Sequence, residues 1–322
     1  MPTPPDSPVA PPEPLRVLQV ADVPPEPEGQ SHWLVEHLWA HQAVGVLGGS
    51  PKCCKTYLAL ELALAVATGT PCLGRFPVAD PGPVLLFAAE DAPVNIRARL
   101  RDLAQARRVD FDTLPVFLIL SDQLRLDLKP DLARLVHAIH TQQPRLLILD
   151  PFVRMHRLQE NSAQEISGLL ADLRALQRRF GLAVLLVHHT RKTNGQASGQ
   201  DLRGSGDLHA WGDTNLYLHR RQDLLRLTVE HRAAAAPEPV DLALHGQEPA
   251  HLVINHTPTQ PRHRDPLDQQ ILAALHSQPS PLTQAQLRDL LRVRNQALTA
   301  ALHQLRDAGR IARSSDGWHL TT

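Results

Sequence analysis

The chain is short of cysteine, of net charge and of long apolar runs, and each shortage closes off a class of protein. Its cysteines are Cys53, Cys54 and Cys72, an odd set that cannot fully pair, and none stands in a C-x-x-C or Cys/His spacing that holds zinc. A disulfide framework is thereby excluded, and a reducing, cytoplasmic setting is expected. Lys plus Arg and Asp plus Glu both number 33, so any contact with nucleic acid has to come from a local basic patch. No segment approaches the roughly 18 uninterrupted apolar residues of a membrane span. The N-terminus is rich in proline and acid rather than basic then apolar, so neither export nor a membrane partner is expected.

What is present is enough apolar material, 43% of 322 residues, for one ordinary domain and a small one. Residues 1–30 hold "MPTPPDSPVAPPEP" and "DVPPEPEGQ", too many prolines for a helix or paired strand; they read as a disordered tail in which "LRVLQVAD" docks as a short strand. From Trp33 onward, apolar runs of strand length ("AVGVLGG", "PVLLFAAED", "VFLIL", "RLLILDP", "LAVLLVHHT") are separated by the helical stretches "TYLALELALAVATG", "NIRARLRDLAQARR" and "SAQEISGLLADLRALQRRFG". Continuous rather than alternating apolarity marks strands covered on both faces, hence an α/β core with a mostly parallel sheet over residues 31–255, finished by a hairpin after "LYLHRRQDLLRLTVEHR". A polar, Pro-bearing linker at 256–265 then leads to a small domain at 266–322.

The stretch "GGSPKCCKT" lies between the strand "AVGVLG" and a helix, the context a phosphate-binding loop requires. Gly49, Ser50, Pro51, Lys52, Cys53, Cys54, Lys55 and Thr56 follow G-x-x-x-x-G-K-[ST] except at Cys54, where the pattern has glycine. Backbone N–H groups of such a loop and the helix N-terminus converge on phosphates, Lys55 meets the terminal ones and the Thr56 hydroxyl holds Mg²⁺. A Cβ and sulfur at 54 crowd a place where glycine permits close approach and an unusual φ, so a loop that binds weakly, or a plain glycine-rich turn, is the competing interpretation.

Further polar residues follow apolar runs in order. Glu90 ends "VLLFAAE" as a base for an attacking water, or as a surface acid capping the next helix. Asp150 ends "RLLILD" as a second carboxylate for Mg²⁺, although many α/β strands end this way. His188 and His189 end "LAVLLVHH", and since neighbours on a strand point to opposite faces, only one is expected at the site.

These pieces, with "LRGSGDLHAWGDTNLYLHR", resemble the RecA-like ATPases of the plasmid RepA type, relatives of DnaB-class hexameric helicases, over about residues 33–245. The resemblance implies a RecA-like P-loop core, a homo-oligomeric ring, usually a hexamer, with ATP between subunits, and single-stranded DNA held by loops facing a pore. It gives Lys55 and Thr56 the phosphate and Mg²⁺ roles, Glu90 that of catalytic base, Asp150 the second-acid role and His188 that of γ-phosphate sensor. The basic loops are "VRMHRLQENS", with Arg154, His156 and Arg157, and "TRKTNGQASGQDLRGSG", with Arg191, Lys192 and Arg203; both suit phosphate contacts without base reading. For an arginine reaching into the neighbouring subunit's ATP, Arg232 in "VEHR" is the first choice and Arg203 the second.

Residues 266–322 outline three helices, a strand, an S-S-D-G turn and a strand, which resembles a winged helix-turn-helix. Thr283 is placed to cap the second helix, and Arg294 or Asn295 begins the third. On duplex DNA, Arg294, Asn295, Gln296 and Thr299 would face the major groove, with Arg310 and Arg313 on the backbone; a protein partner suits the module equally. The expected function is an ATP-hydrolysing ring motor on single-stranded DNA in plasmid, phage or mobile-element replication. The alternatives are a nucleotide-gated regulator slowed by Cys54, and an inert scaffold.

Overall fold

The computed structural model describes residues 17–25, 31–158, 163–190, 207–221, 224–246, 249–255, 267–278, 280–291, 293 and 295–321, without the side chains of 163, 221, 296 and 297. The chain divides into two compact units, one ending at Asn255 and the other running from His256.

In the first unit the strands are β1 (Trp33–Val35), β2 (Trp39–Ala40), β3 (Val44–Gly49), β4 (Val84–Ala88), β5 (Val116–Leu118), β6 (Leu146–Asp150), β7 (Ala183–His189), β8 (Thr214–Arg221), β9 (Leu224–His231), β10 (Val240–His245) and β11 (His251–Ile254). Its helices are α1 (Lys55–Thr68), α2 (Pro93–Arg107), α3 (Lys129–Gln142), α4 (Ala163–Phe180) and α5 (Asp207–Trp211). Nine strands form one sheet in the order β11-β10-β9-β8-β3-β7-β6-β4-β5. The pairs from β8 through to β5 are parallel, and β9, β10 and β11 add antiparallel strands at the other edge.

Side chains of successive strand residues leave on opposite faces, and the continuous apolar runs therefore feed two cores. Leu47, Val84, Leu86, Leu146, Ile148 and Leu185 pack with α1 and α2 on one face. Val46, Leu85, Phe87, Leu147, Leu149 and Leu186 pack with α3 and α4 on the other. The α1 helix is buried almost continuously from Leu58 to Val66, which explains why its sequence is apolar all round rather than striped. Its one buried acid, Glu61, is held by Arg107 of α2 and by the Leu73 backbone N–H at 2.7 Å.

Two sequence expectations need correcting. The described part of "LRVLQVAD" does not pair as a strand: Val20–Asp22 form a single 3-10 turn, and Val17 and Val20 stay exposed. The α3 helix lies in a stretch not assigned to any helix above, although Leu132, Leu135, Val136 and Ile139 recur at helical spacing and pack on the core behind a proline in the first turn. Among the described residues no helix is long and apolar enough to cross a membrane.

The second unit contains α6 (Leu267–His276), α7 (Gln284–Leu291), α8 (Asn295–Asp307), β12 (Ile311–Ser314) and β13 (Gly317–Leu320). The two strands are antiparallel, and Leu282 bridges to Trp318. Ile271, Leu287, Leu298, Leu302, Ile311 and Trp318 make its own core. Thr283 Oγ1 accepts the Gln286 N–H at 3.3 Å while Gln286 Oε1 accepts the Thr283 N–H at 2.8 Å, a reciprocal capping box at the start of α7.

The central sheet requires one bare backbone in particular. A Cβ at Gly45 would lie 1.6 Å from the Thr214 carbonyl oxygen, so β3 and β8 approach only because no side chain intervenes. Gly45→Ala is expected to destabilise the first unit by at least about 1–3 kcal/mol, read from the denaturation midpoint, because backbone has to move to make room.

Candidate functional site

The site is built where β3 ends. In register, Gly49 lies between His189 of β7 and Leu218 of β8, and the chain turns through residues 50–54 into α1 at the carboxyl edge of the parallel strands, where ligands of open α/β sheets bind. A Cβ at Gly49 would lie 2.6 Å from the Leu218 carbonyl oxygen and 2.7 Å from Cys53 Sγ, so the first glycine of the motif is sterically required. Lys52 and Cys54 both have left-handed backbones, with φ of 63° and 64°. Cys54 is the N-cap of α1. It therefore adopts the conformation that the missing glycine would take freely, at a cost of about 1–2 kcal/mol for a residue with a Cβ.

Lys55 is buried, and its ammonium donates to the carbonyls of Gly49 at 3.0 Å and Ser50 at 2.9 Å and lies 3.2 Å from His189 Nδ1. Burial pulls its pKa down, opposed by the nearby Cys53, Asp150 and Glu90. Thr56 Oγ1 donates to Asp150 Oδ2 at 2.7 Å. Burial raises the Asp150 carboxyl to about 6, although the Thr56 hydrogen bond and the Lys55 charge act against it. Together with Glu90, these groups line a cleft of about 300 Å³ that also includes Lys52–Tyr57, Asp91, Arg99 and His189.

Some residues in or beside the cleft escaped the sequence reading. Arg99 of α2 donates to Asp91 through both terminal guanidinium nitrogens, at 2.6 and 3.3 Å, and its Cζ sits 5.3 Å from the centre of the Tyr57 ring. Arg220 of β8 donates to the Lys52 carbonyl at 3.3 Å and approaches Cys54 Sγ at 3.8 Å. The only linear signal for Arg220 is its place two residues past Leu218, which has meaning once the β3–β8 register is known.

The structure also re-sorts the expected residues. His189, not His188, faces the loop: His188 is 1% exposed and turned to the opposite core, its ring 6.4 Å from that of Phe152. Strand alternation required such a split, but sequence could not choose its sense. Arg232 is absent from the lining of this chain's own cleft; it pairs with Asp213 at 3.2 Å and donates to the Ala210 carbonyl. Arg154 donates through Nε to Glu90 Oε1 at 2.7 Å. His156 is not a solvent-facing loop residue but buried, its ring 4.8 Å from that of Phe152. Arg157 is exposed. Arg191, Lys192, Arg203 and Arg294 lie outside the described residues, as does the Gln296 side chain. Asn295 and Thr299 of α8 are joined to α7 through Gln284 Nε2, at 3.0 and 2.8 Å. Arg313 stacks over Trp318 at 5.8 Å.

A model of the AAA domain family, AAA_25, matches residues 10–195. The chain belongs to that family. Among solved structures it is similar to an isolated ATPase domain at 15% identity, with a TM-score of 0.52, over 67% of this chain and 86% of that one. It is also similar to a DnaB-like replicative helicase, whose structure describes its interactions with primase, at 16% identity and a TM-score of 0.52. That match covers 66% of this chain, which spans only 57% of the helicase chain. The fold of this AAA domain protein is thus the RecA-like core shared with these two structures.

Two consequences are measurable. Cys54→Gly is expected to stabilise the nucleotide-free AAA core by about 1 kcal/mol, seen as a higher denaturation midpoint, since glycine holds the left-handed φ without strain. The folded Asp150 carboxyl titrates near 6, above its ordinary 3.8, so the unfolded chain releases this proton first. Stability consequently falls as pH rises between those values and carries a constant penalty above them. Asp150→Asn should raise the melting temperature at neutral pH but not in acid; an equal rise at both would disprove the assignment.

Proposed function

We propose that this chain binds ATP with Mg²⁺ in the cleft at the end of β3 and hydrolyses it, as one subunit of a homo-oligomeric ring motor acting on single-stranded DNA. Hexameric assembly and a place in plasmid, phage or mobile-element replication follow from the resemblance to RepA-type ATPases. The observation that supports the reading best is the convergence of Lys55 and Thr56, at the start of α1, with Asp150 and Glu90 across the strand ends.

The loop's backbone and the α1 N-terminus form a cradle for anionic oxygens. Lys55 already has its ammonium gathered over the loop carbonyls of Gly49 and Ser50, and exchanges them for the terminal phosphates. Thr56 and Asp150 would hold Mg²⁺, which supplies charge neutralisation when bound. Glu90 orients a water and takes its proton. His189 stands where a group that senses the terminal phosphate is needed, in place of His188. Arg232 lies outside its own cleft and serves the neighbour's, supplying a guanidinium to the transferring phosphoryl group. Arg154 and Arg157, with Arg191, Lys192 and Arg203, make the phosphate contacts along the strand.

The second unit we assign as a winged helix-turn-helix, from the succession α6, the Leu282–Trp318 bridge, α7, α8 and the β12–β13 hairpin. Its α8, with Asn295 and Gln296 at the start and Arg294 before them in the sequence, would enter duplex DNA, or a protein partner would occupy the same face. One observation favours a slower, nucleotide-gated regulator: the Cys54 side chain lines the cleft itself.

Lys55→Ala should abolish ATP binding in a fluorescent-nucleotide titration, and retained affinity would reject the loop assignment. Glu90→Gln should leave affinity intact and lower turnover by about 10²–10⁴-fold, the usual contribution of a positioned base. Single-stranded DNA should stimulate phosphate release by the unaltered protein; no stimulation favours the regulator.

A further inference from the structure

The hydrolysis assigned above needs the Glu90 carboxylate to meet a water, yet Glu90 Oε1 accepts a hydrogen bond from Arg154 Nε at 2.7 Å. Arg154 sits in the 3-10 turn Phe152–Met155, directly after the Asp150–Pro151 bond. Phe152 and Met155 of that turn are fully buried. The turn is therefore anchored at both ends, and it presents Arg154 outward from a fixed base. The two side chains are 64% and 46% exposed, so solvent and a diffusing anion reach the pair.

The neighbouring carboxylate is held separately. Asp91 is bound by both nitrogens of Arg99 on α2, and that guanidinium also lies over the Tyr57 ring. Loss of the Arg154 contact thus leaves the segment after β4 tethered through Asp91 and frees the Glu90 side chain alone. An exposed ion pair of this kind is weak, worth a factor of about five or less in population. A phosphodiester, by contrast, matches the guanidinium fork with two parallel hydrogen bonds, and one that takes the Nε–Nη edge leaves no Nε donor for Glu90. Arg154 cannot make both contacts through Nε at once.

We propose that Arg154 is a positioning residue for Glu90: it holds the carboxylate away from the attacking water until a backbone phosphate of single-stranded nucleic acid claims its guanidinium. The inference rests on the ATPase reading and gives that site its regulation. Strand binding and hydrolysis are then coupled through one side chain, without a change of fold. In the absence of nucleic acid the latch keeps turnover low, and because the latch is weak its release changes the rate only modestly.

The test is phosphate release by the full chain at saturating ATP and Mg²⁺, with and without oligodeoxythymidylate, for the unaltered protein, Arg154→Ala and Arg154→Lys. ATP affinity is measured in parallel with a fluorescent analogue. Arg154→Ala should hydrolyse about two- to fivefold faster than the unaltered protein without DNA, with unchanged ATP affinity and little further stimulation by DNA. Arg154→Lys, which keeps a cation but not the fork, should restore a low basal rate and part of the stimulation. Loss of stimulation without any rise in the basal rate would overturn the latch and leave Arg154 a plain strand contact. An unaltered protein with no phosphate release under any condition would instead remove the ATPase reading, an outcome distinct from an active parent whose alanine variant is no faster.

Discussion

Everything at the cleft depends on how closely β3 approaches β8. Gly45 and Gly49 leave no room for a Cβ between the two strands, and the resulting register sets Leu218 beside Gly49 and carries Arg220 over the loop. On its other side β3 pairs with β7, which brings His189 beside Lys55. With both flanks occupied, the chain leaving Gly49 has no free sheet edge to follow and turns out of the sheet into α1. The loop is in this sense a product of strand packing, and its two left-handed residues are where the turn is closed.

The electrostatics follow from that geometry. The start of α1 sits over the ends of β4 and β6, so Lys55 and Asp150 are buried in a small space with the exposed Glu90 at its edge. Burial weakens the charged form of both Lys55 and Asp150. Each is the other's partial remedy, and Thr56 links the carboxylate to the helix. Such a set, mutually satisfied but desolvated, has the shifted ionisation that marks candidate binding sites. Around it, two arginines divide the labour: Arg99 secures Asp91, and Arg154 engages Glu90 from the exposed side.

Cys54 shows how a motif mismatch should be weighed. Cys54 has φ at 64°, in the left-handed region that glycine enters freely, and stands as the N-cap of α1. Its sulfur lies 3.8 Å from an Arg220 guanidinium nitrogen. The departure from the motif therefore bears on stability and on space in the cleft, which the Cys54 side chain lines.

The linear order of residues was enough to reveal the parallel α/β core, because strands buried on both faces read as continuous apolar runs, and a glycine loop between such a run and a helix has few other homes. It also brought out Lys55, Thr56, Glu90 and Asp150, each marked by its place at a strand end or helix start. The helical spacing of Leu132, Leu135, Val136 and Ile139 in α3 was legible but went unread, whereas the sequence could not say that His189 rather than His188 faces the loop, since alternation guarantees a division without giving its direction. Arg99, Tyr57 and Arg220 carried no motif of their own. Their places depend on helix packing and inter-strand register, which bring together residues far apart along the chain, and only the folded structure decides those.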